Sequence, residues 1–299
     1  MRGINVASTM KLSVSSYSLC RVVNAGRMDL FEEIDWVAKA GFAAIEFSGF
    51  QGQEDADPGK VAKKLKARCK KRGLAIASYT IGADLLKLKP AEHQAEIERV
   101  KGEVDVAAIL GVKRMRHDAA RGFPNRYRGP KDYEDALPYL VPACREIADY
   151  AAEKGITTSI ENHGYFVQHS TRVLKLVRKV NRPNFGVTVD LGNFLCADDD
   201  PVAAVRRLAR YASHVHVKDF HVKSADQPNP GEGWFQSAAG NYLRGAIVGH
   251  GNVQVVRCLS LLKKAGYAGY LSIEFEGLEE PLKAVEIGRD NLRRYLRKL

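Results

Sequence analysis

The stretch GITTSIENHGYFVQHSTRVLKLVRKVNRPNFGVTVDL, residues 155–191, contains the repeating unit on which the fold prediction depends. Two short runs, 156–162 and 185–191, alternate apolar residues with polar or small ones, which is typical of β-strands. Between them, residues 170–181 repeat apolar side chains at helical spacing. A strand, a helix and a second strand in this order predict two parallel strands joined by a right-handed crossover.

The same rhythm continues from end to end of the chain. The β-prone runs lie at residues 12–18, 43–49, 74–80, 112–118, 156–162, 185–191, 214–220 and 270–277. The helical segments lie at residues 28–40, 58–72, 90–110, 132–154, 170–181, 200–211, 252–265 and 281–298. Eight strand–helix units predict a single (β/α)₈ TIM barrel. A doubly wound open sheet is the alternative, but it needs a glycine-rich loop after the first strand, and none is present there. The longest irregular segment, residues 221–250, is predicted to be a functional or mobile loop.

The composition is that of a folded globular protein. Hydrophobic residues make up 45% of the 299 residues, and no apolar run approaches the roughly 20 residues that span a bilayer. The five cysteines are scattered without a CxxC pair, which indicates a reducing, cytoplasmic location. We expect residues 1–10 to be a flexible lead-in without a secretory signal, and residues 11–299 to form the catalytic domain.

The net charge of +11 is compatible with a nucleic-acid partner, an anionic substrate or solubility alone. Most basic residues follow predicted helices, as in residues 60–73 and at the C-terminus. Such runs are typical of solvated helix faces. We therefore expect no specific nucleic-acid partner and no membrane partner.

Polar side chains are predicted to point into the barrel at the ends of its last four strands, where active sites of this fold form. These side chains are Glu161, Asp190, His216 and Glu274. Three carboxylates so close together would repel one another by several kcal/mol at an intermediate dielectric. Three carboxylates and one imidazole suit a single divalent cation, Mn²⁺, Mg²⁺, Co²⁺ or Zn²⁺. The alternative is that each carboxylate pairs with a protein cation such as Lys218.

These four residues lie in segments that resemble the xylose-isomerase-like superfamily of TIM barrels. The segments are SIENHG (159–164), TVDLGNF (188–194), HVHVKDF (214–220) and SIEFEG (272–277), and the resemblance extends over residues 11–298. The superfamily includes sugar isomerases and epimerases, inosose dehydratases and metal-dependent abasic-site endonucleases. The resemblance implies that the four residues bind one divalent metal. It also implies that Glu161 and Glu274 act in proton transfer.

The sequence departs from these relatives at Asn193, where epimerases and endonucleases usually carry histidine. Asparagine donates a hydrogen bond but cannot take up a proton, so we predict that His163 or His117 supplies the missing acid or base. Ketohexose epimerases also carry a second glutamate where this chain has Val167. The further histidines that a three-metal endonuclease needs are missing from strand 3 and from the long loop.

Four more side chains are predicted to contact the substrate. They are Lys218, Asn193, Glu46 and Tyr79, all expected on the inner face or at the rim of the barrel. The sequence therefore predicts a metal-dependent isomerase or epimerase that acts on a keto sugar or related polyol through an enediolate. A metal-dependent lyase or dehydratase on the same scaffold is the alternative, and a nucleic-acid-binding or abasic-site endonuclease-like protein is a distant third. The expected partner is a small sugar, and the chain is a candidate homo-oligomer.

Overall fold

Parallel strands close into a barrel in the computed structural model, which describes residues 10–299. The barrel strands are β1 (Lys11–Ser15), β2 (Ala44–Ser48), β3 (Ala75–Ile81), β4 (Arg114–His117), β5 (Thr157–Glu161), β6 (Phe185–Asp190), β7 (Ala212–Val217) and β11 (Tyr270–Ile273). Their order around the barrel is β1-β11-β7-β6-β5-β4-β3-β2, and every neighbouring pair is parallel. The predicted (β/α)₈ barrel is confirmed. The predicted lead-in, residues 1–10, lies outside the described residues except for Met10.

Helices surround the barrel. The part of the chain that the structure describes contains α1 (Cys20–Asn24), α2 (Leu30–Lys39), α3 (Pro58–Lys71), α4 (Pro90–Leu110), α5 (Tyr133–Glu153), α6 (Ser170–Val180), α7 (Pro201–Leu208), α8 (Val255–Lys264) and α9 (Pro281–Leu296). Eight of them match the predicted helices, whereas α1, with five residues, is too short to show a periodicity. No helix within residues 10–299 is both long and apolar enough to cross a bilayer.

The helix ends follow from local sequence. Asp29 begins α2 with a capping box, since its side chain accepts from the backbone of Glu32 while the Glu32 side chain accepts from the backbone of Asp29. Gly111 ends α4 in the left-handed conformation, with φ of 81°, which is strained for residues that carry a Cβ atom. These ends fix where each helix returns the chain to the barrel.

A small second sheet forms largely within the segment 221–250 predicted to be a loop. It is antiparallel and consists of β8 (Asp219–Lys223), β9 (Phe235–Gln236) and β10 (Tyr242–Ala246). The predicted strand 214–220 is thus two strands that meet at Lys218. The sequence does carry a sign of this break, because the apolar positions shift from Val215 and Val217 to Phe220 and Val222, with two consecutive polar residues between them. The Asp219 carboxylate accepts backbone N–H groups of Gly249, Gly251 and Val253 at 2.9–3.0 Å, which anchors the chain where it leaves this sheet.

Candidate metal centre

Four side chains converge at the carboxyl end of the barrel. Glu161 ends β5, Asp190 ends β6, His216 lies in β7, and Glu274 directly follows β11. His216 Nδ1 lies 3.2 Å from Glu161 Oε1 and 3.6 Å from Glu274 Oε1. It lies 3.9 Å from Asp190 Oδ2. One nitrogen or oxygen atom from each of the four lies within 4.8 Å of the others, and all four residues are buried. This cluster can therefore hold one metal ion.

The charges around the cluster fit a cation. Asp190 Oδ2 is buried and has no hydrogen-bond partner, and leaving such an atom unpaired is costly. Two permanently charged cations, Arg116 and Lys218, pair with carboxylates here. The carboxylates at or next to the cluster are Glu46, Asp118, Glu161, Asp190, Glu274 and Glu276. Carboxylate oxygens and an imidazole are suitable ligands for a divalent ion that would offset this excess of negative charge.

Pairing with protein cations and binding of a metal ion are compatible in this arrangement. Arg116 Nε lies 2.6 Å from Oε2 of Glu161, and Lys218 Nζ lies 2.6 Å from Oε2 of Glu274. The other oxygen of each glutamate, Oε1, faces His216 Nδ1. Each glutamate thus turns one oxygen to a fixed cation and one to the centre of the cluster. The sequence presented these two roles as alternatives, whereas the structure allows both.

Ionisation differs among the carboxylates of the cluster. Burial raises the pKa of Asp190 to about 7, with the Lys218 ammonium opposing and the charges of Glu161 and Glu274 assisting. Burial also disfavours ionisation of Glu161, but the Arg116 guanidinium and His216 hold its pKa well below the usual range. Glu161 therefore remains an anion through its protein partners, whereas Asp190 is the member of the cluster that lacks a sufficient counter-charge.

Two predicted substrate contacts, Asn193 and Lys218, lie beside the cluster. The Asn193 amide donates to Glu161 Oε1 at 3.1 Å and accepts from Lys218 Nζ at 3.2 Å. Both residues are buried. Asn193 thus connects Glu161, at the end of β5, with Lys218, which directly follows β7. The contact of Asn193 and Lys218 with substrate remains a prediction.

His163 lies at the rim, beyond the end of β5. Its side chain is 49% exposed, and Nδ1 lies 3.0 Å from Asp118 Oδ1. Asp118 also pairs with Arg116 at 2.7 Å, and Arg116 pairs with Glu161. His163 is therefore linked through two charged side chains to a residue of the cluster. Its catalytic role remains a prediction.

His117 and Tyr79 are not brought to the cluster. The His117 ring is fully buried next to Phe185 on the helix side of the barrel wall, because its neighbour Arg116 takes the inward position. Tyr79, expected to face inward, instead donates its hydroxyl to Glu103 of α4 at 2.7 Å. Tyr79 thus faces the helices and not, as predicted, the inside of the barrel. His117 also faces away from the cluster.

Glu46 faces inward as predicted but has no exposed surface. It lies next to the cluster, with His216 Nε2 2.8 Å from Oε1 and His214 Nε2 2.7 Å from Oε2. Fully enclosed by protein, Glu46 has no surface to offer a substrate in this structure. The expected substrate contact of Glu46 is therefore not supported by its position.

A cavity of about 540 Å³ lies at the carboxyl ends of β2 and β3, and none of the four residues of the cluster lines it. Its lining includes Phe50, Tyr79 and Glu103, together with Thr80 and Arg116, which contact Glu46 and Glu161. The volume lies in the range typical of small-molecule sites.

Sequence reasoning missed Asp118 and Glu276 as parts of the charged network around the cluster. Asp118 follows the end of β4 by one residue and Glu276 follows the end of β11 by three, and this position would have identified both.

The sequence profile of a protein family described as xylose isomerase-like TIM barrel matches residues 34–295 of this chain. The chain is 25% identical over 255 residues to the inosose dehydratase of Geobacillus thermodenitrificans (strain NG80-2), with 82% of each protein covered. It is 30% identical over 273 residues to the rhizopine catabolism protein MocC of Rhizobium meliloti, with 86% of this chain and 78% of that protein covered.

A solved structure of the IOLI protein with a bound zinc atom has the same fold. It superposes on the chain with a TM-score of 0.73, covers 97% of this chain and 99% of its own, and is 18% identical in sequence. At this identity the comparison supports the barrel architecture alone.

Proposed function

The chain belongs to the xylose isomerase-like TIM-barrel family, and from this premise we propose that it is a divalent-metal-dependent isomerase or epimerase acting on a keto sugar or related polyol. The observation that carries the proposal is the buried cluster of three carboxylates and one imidazole, in which Asp190 Oδ2 has no hydrogen-bond partner and, outside the cluster, only the Lys218 ammonium, at 3.6 Å, as a counter-charge. Glu161, Asp190, His216 and Glu274 would hold the ion, with Mn²⁺, Mg²⁺, Co²⁺ and Zn²⁺ as candidates. When bound, such an ion polarises a carbonyl group and makes the neighbouring C–H bond more acidic.

The two glutamates are suited to move the proton. Glu161 and Glu274 come from β5 and from the end of β11, on opposite sides of β6 and β7, and each has a fixed cation at Oε2. The cations keep both carboxylates oriented. A substrate carbon between the glutamates could lose a proton to one of them and regain a proton from the other on the opposite face, which is the requirement for epimerisation.

The remaining polar groups favour a hydroxylated substrate. Lys218 and Asn193 offer an ammonium and an amide beside the cluster. His163 is half exposed at the rim. Burial of most of the charged groups excludes water from the reacting atoms, which strengthens their electrostatic effect. A sugar carbonyl and its neighbouring hydroxyl groups match this set of donors and acceptors.

A dehydratase is the second candidate, and the environment of Asn193 favours it. At this position an amide, which cannot carry a proton, is held between Glu161 and Lys218. Loss of an acid or base from one side of the site weakens a two-base exchange but leaves elimination possible, since a single carboxylate can remove the proton and then return it to the departing hydroxyl group, which leaves as water. The inosose dehydratase of Geobacillus thermodenitrificans, similar over 82% of this chain, supports this candidate.

The test is proton exchange in D₂O. The protein, loaded in turn with Mn²⁺, Mg²⁺, Co²⁺ or Zn²⁺, is incubated with ketoses, keto-glycosides and inososes, and the products are analysed by NMR and mass spectrometry. We expect metal-dependent deuterium incorporation next to a carbonyl, lost with chelator and in Glu161→Gln. An epimer or isomer supports the first candidate, and loss of one water supports the second.

Glu33→Gln is the matched control because Glu33 is also buried but lies on α2, outside the cluster. It should keep the exchange activity. Metal-independent exchange, or no exchange with any substrate under any of the four metals, would contradict the proposal.

A further inference from the structure

Glu46 is fully buried next to the cluster and accepts hydrogen bonds from three side chains. His216 Nε2 lies 2.8 Å from Oε1, and Thr80 donates to the same oxygen at 2.6 Å. His214 Nε2 lies 2.7 Å from Oε2 and 3.0 Å from the Ser272 hydroxyl. The carboxylate is thus held on both oxygens by groups from β3 and β7.

His216 turns its two ring nitrogens to different partners. Nε2 faces Glu46, whereas Nδ1 faces the oxygens of Glu161, Glu274 and Asp190. A neutral imidazole that binds a metal through one nitrogen carries its proton on the other, and that N–H requires an acceptor when it is buried. Glu46 is the acceptor that lies in the right place.

We propose that Glu46 is the positioning residue of the metal centre: by accepting Nε2–H of His216, it fixes the tautomer and ring orientation that present Nδ1 to the ion. The inference rests on the metal site of the proposed function. It reassigns Glu46 from the substrate contact expected of it to a role that acts through His216. It also gives His214 and Thr80 a purpose, since both hold the carboxylate in place.

A second metal ion between Glu46, His214 and His216 is the competing explanation, since these three residues also lie within 4.8 Å of one another. The contacts of 2.7 and 2.8 Å between the carboxylate oxygens and the ring nitrogens are those of direct hydrogen bonds. With Thr80 also donating to Oε1, every contact of Glu46 is explained by a hydrogen bond. An ion there would also displace the Nε2 proton of His216.

The first test examines the unchanged protein loaded with Zn²⁺. Long-range ¹H–¹⁵N NMR of the histidine rings identifies which nitrogen carries the proton and which binds the metal. We expect one equivalent of Zn²⁺ per chain, with His216 bound through Nδ1 and protonated at Nε2. Binding through Nε2, or two equivalents per chain of which one depends on Glu46, would overturn the inference.

The second test compares variants by Co²⁺ affinity, measured by competition with a chelator, and by the visible spectrum of the bound Co²⁺. Glu46→Met removes the acceptor at similar length, and we expect Kd to rise about 10–100-fold with a changed spectrum. Glu46→Gln keeps one acceptor oxygen, so its Kd for Co²⁺ should lie between those of Glu46→Met and the unchanged protein. Glu33→Met, the same substitution at a buried glutamate without hydrogen-bond partners, should leave both readouts unchanged.

The outcomes separate the two proposals. Unchanged Co²⁺ affinity and spectrum in Glu46→Met overturn the positioning role alone. If the unchanged protein binds none of the four divalent metals, the proposed function fails and the positioning role fails with it. Weakened binding in Glu46→Met with no activity on any sugar supports the positioning role while leaving the proposed reaction contradicted.

Discussion

The buried Glu33 predicts a loss of stability as the pH rises. This side chain has no exposed surface, and neither of its carboxylate oxygens has a hydrogen-bond partner. Burial, together with the nearby charge of Asp29, raises the pKa of Glu33 from 4.5 to about 8. The folded protein therefore retains a proton on Glu33 that the unfolded chain releases above pH 4.5.

The sign and size of the effect follow from proton linkage. Because the folded state binds the extra proton, the free energy of unfolding falls as the pH rises between about 4.5 and about 8, and the fall ends above the folded pKa. A difference of about 3.5 pKa units, at about 1.4 kcal/mol per unit, corresponds to about 5 kcal/mol in total. This is a large fraction of the roughly 5–15 kcal/mol that stabilises an ordinary domain.

Glu33→Gln should remove this dependence, because the amide has nearly the same shape and does not ionise. The assay is urea unfolding of both proteins at a series of pH values from 4.5 to 8.5, with the m-value checked for constancy. The variant should match the unchanged protein near pH 4.5 and exceed its stability by several kcal/mol at pH 8.5. Parallel stability curves for the two proteins, or a Glu33 carboxyl that titrates near 4.5 by ¹³C NMR, would refute the reasoning.

Three further predictions concern the site. Glu274→Gln removes a charged ligand with little change in volume, so metal affinity should fall and activity should drop at least about a hundredfold; full activity of metal-free Glu274→Gln would contradict the ligand assignment. His163→Asn should keep the metal yet lose turnover by roughly 10²–10⁴-fold and one limb of the pH–rate profile, and unchanged turnover would assign the proton transfer to the glutamates alone. Duplex DNA should bind weakly and non-specifically, with Kd on the order of 10⁻⁴–10⁻⁶ M at physiological salt, and abasic sites should not be nicked; metal-dependent nicking that Glu161→Gln abolishes would contradict the sugar-directed function.

The barrel and its four converging side chains were predictable because both depend on short-range periodicity. Alternation along a strand decides which side chains face inward, and parallel strands place their carboxyl ends at the same end of a barrel. Glu161, Asp190 and His216 each lie within a predicted strand and are where the alternation places them. Glu274 follows β11 rather than lying within it, yet it keeps the inward direction set by Ser272.

Other features could not be read from the same pattern. Tyr79 was predicted to lie on the inner face of the barrel, but Ser78 and Thr80 occupy that face. Because side chains alternate along a strand, an error of one residue in the assignment exchanges the inward and outward faces of the whole strand. The sheet formed by β8, β9 and β10 pairs residues up to 27 positions apart, and no local pattern specifies such pairing. Its strands are short, and one has only two residues.

Long-range charge partners explain why Glu161 differs from the other members of the cluster. It contacts Arg116 through Oε2, and through Oε1 it accepts a hydrogen bond from Asn193 and lies near His216. Arg116 in turn contacts Asp118, the partner of His163. A change at the rim that alters Asp118 therefore acts on Glu161 through a shared guanidinium, without any direct contact. Asn193 cannot carry a proton, and the path through Asp118 and Arg116 is one by which His163, at the mouth of the barrel, influences the buried Glu161 carboxylate. In this respect the site differs from one with a histidine at position 193.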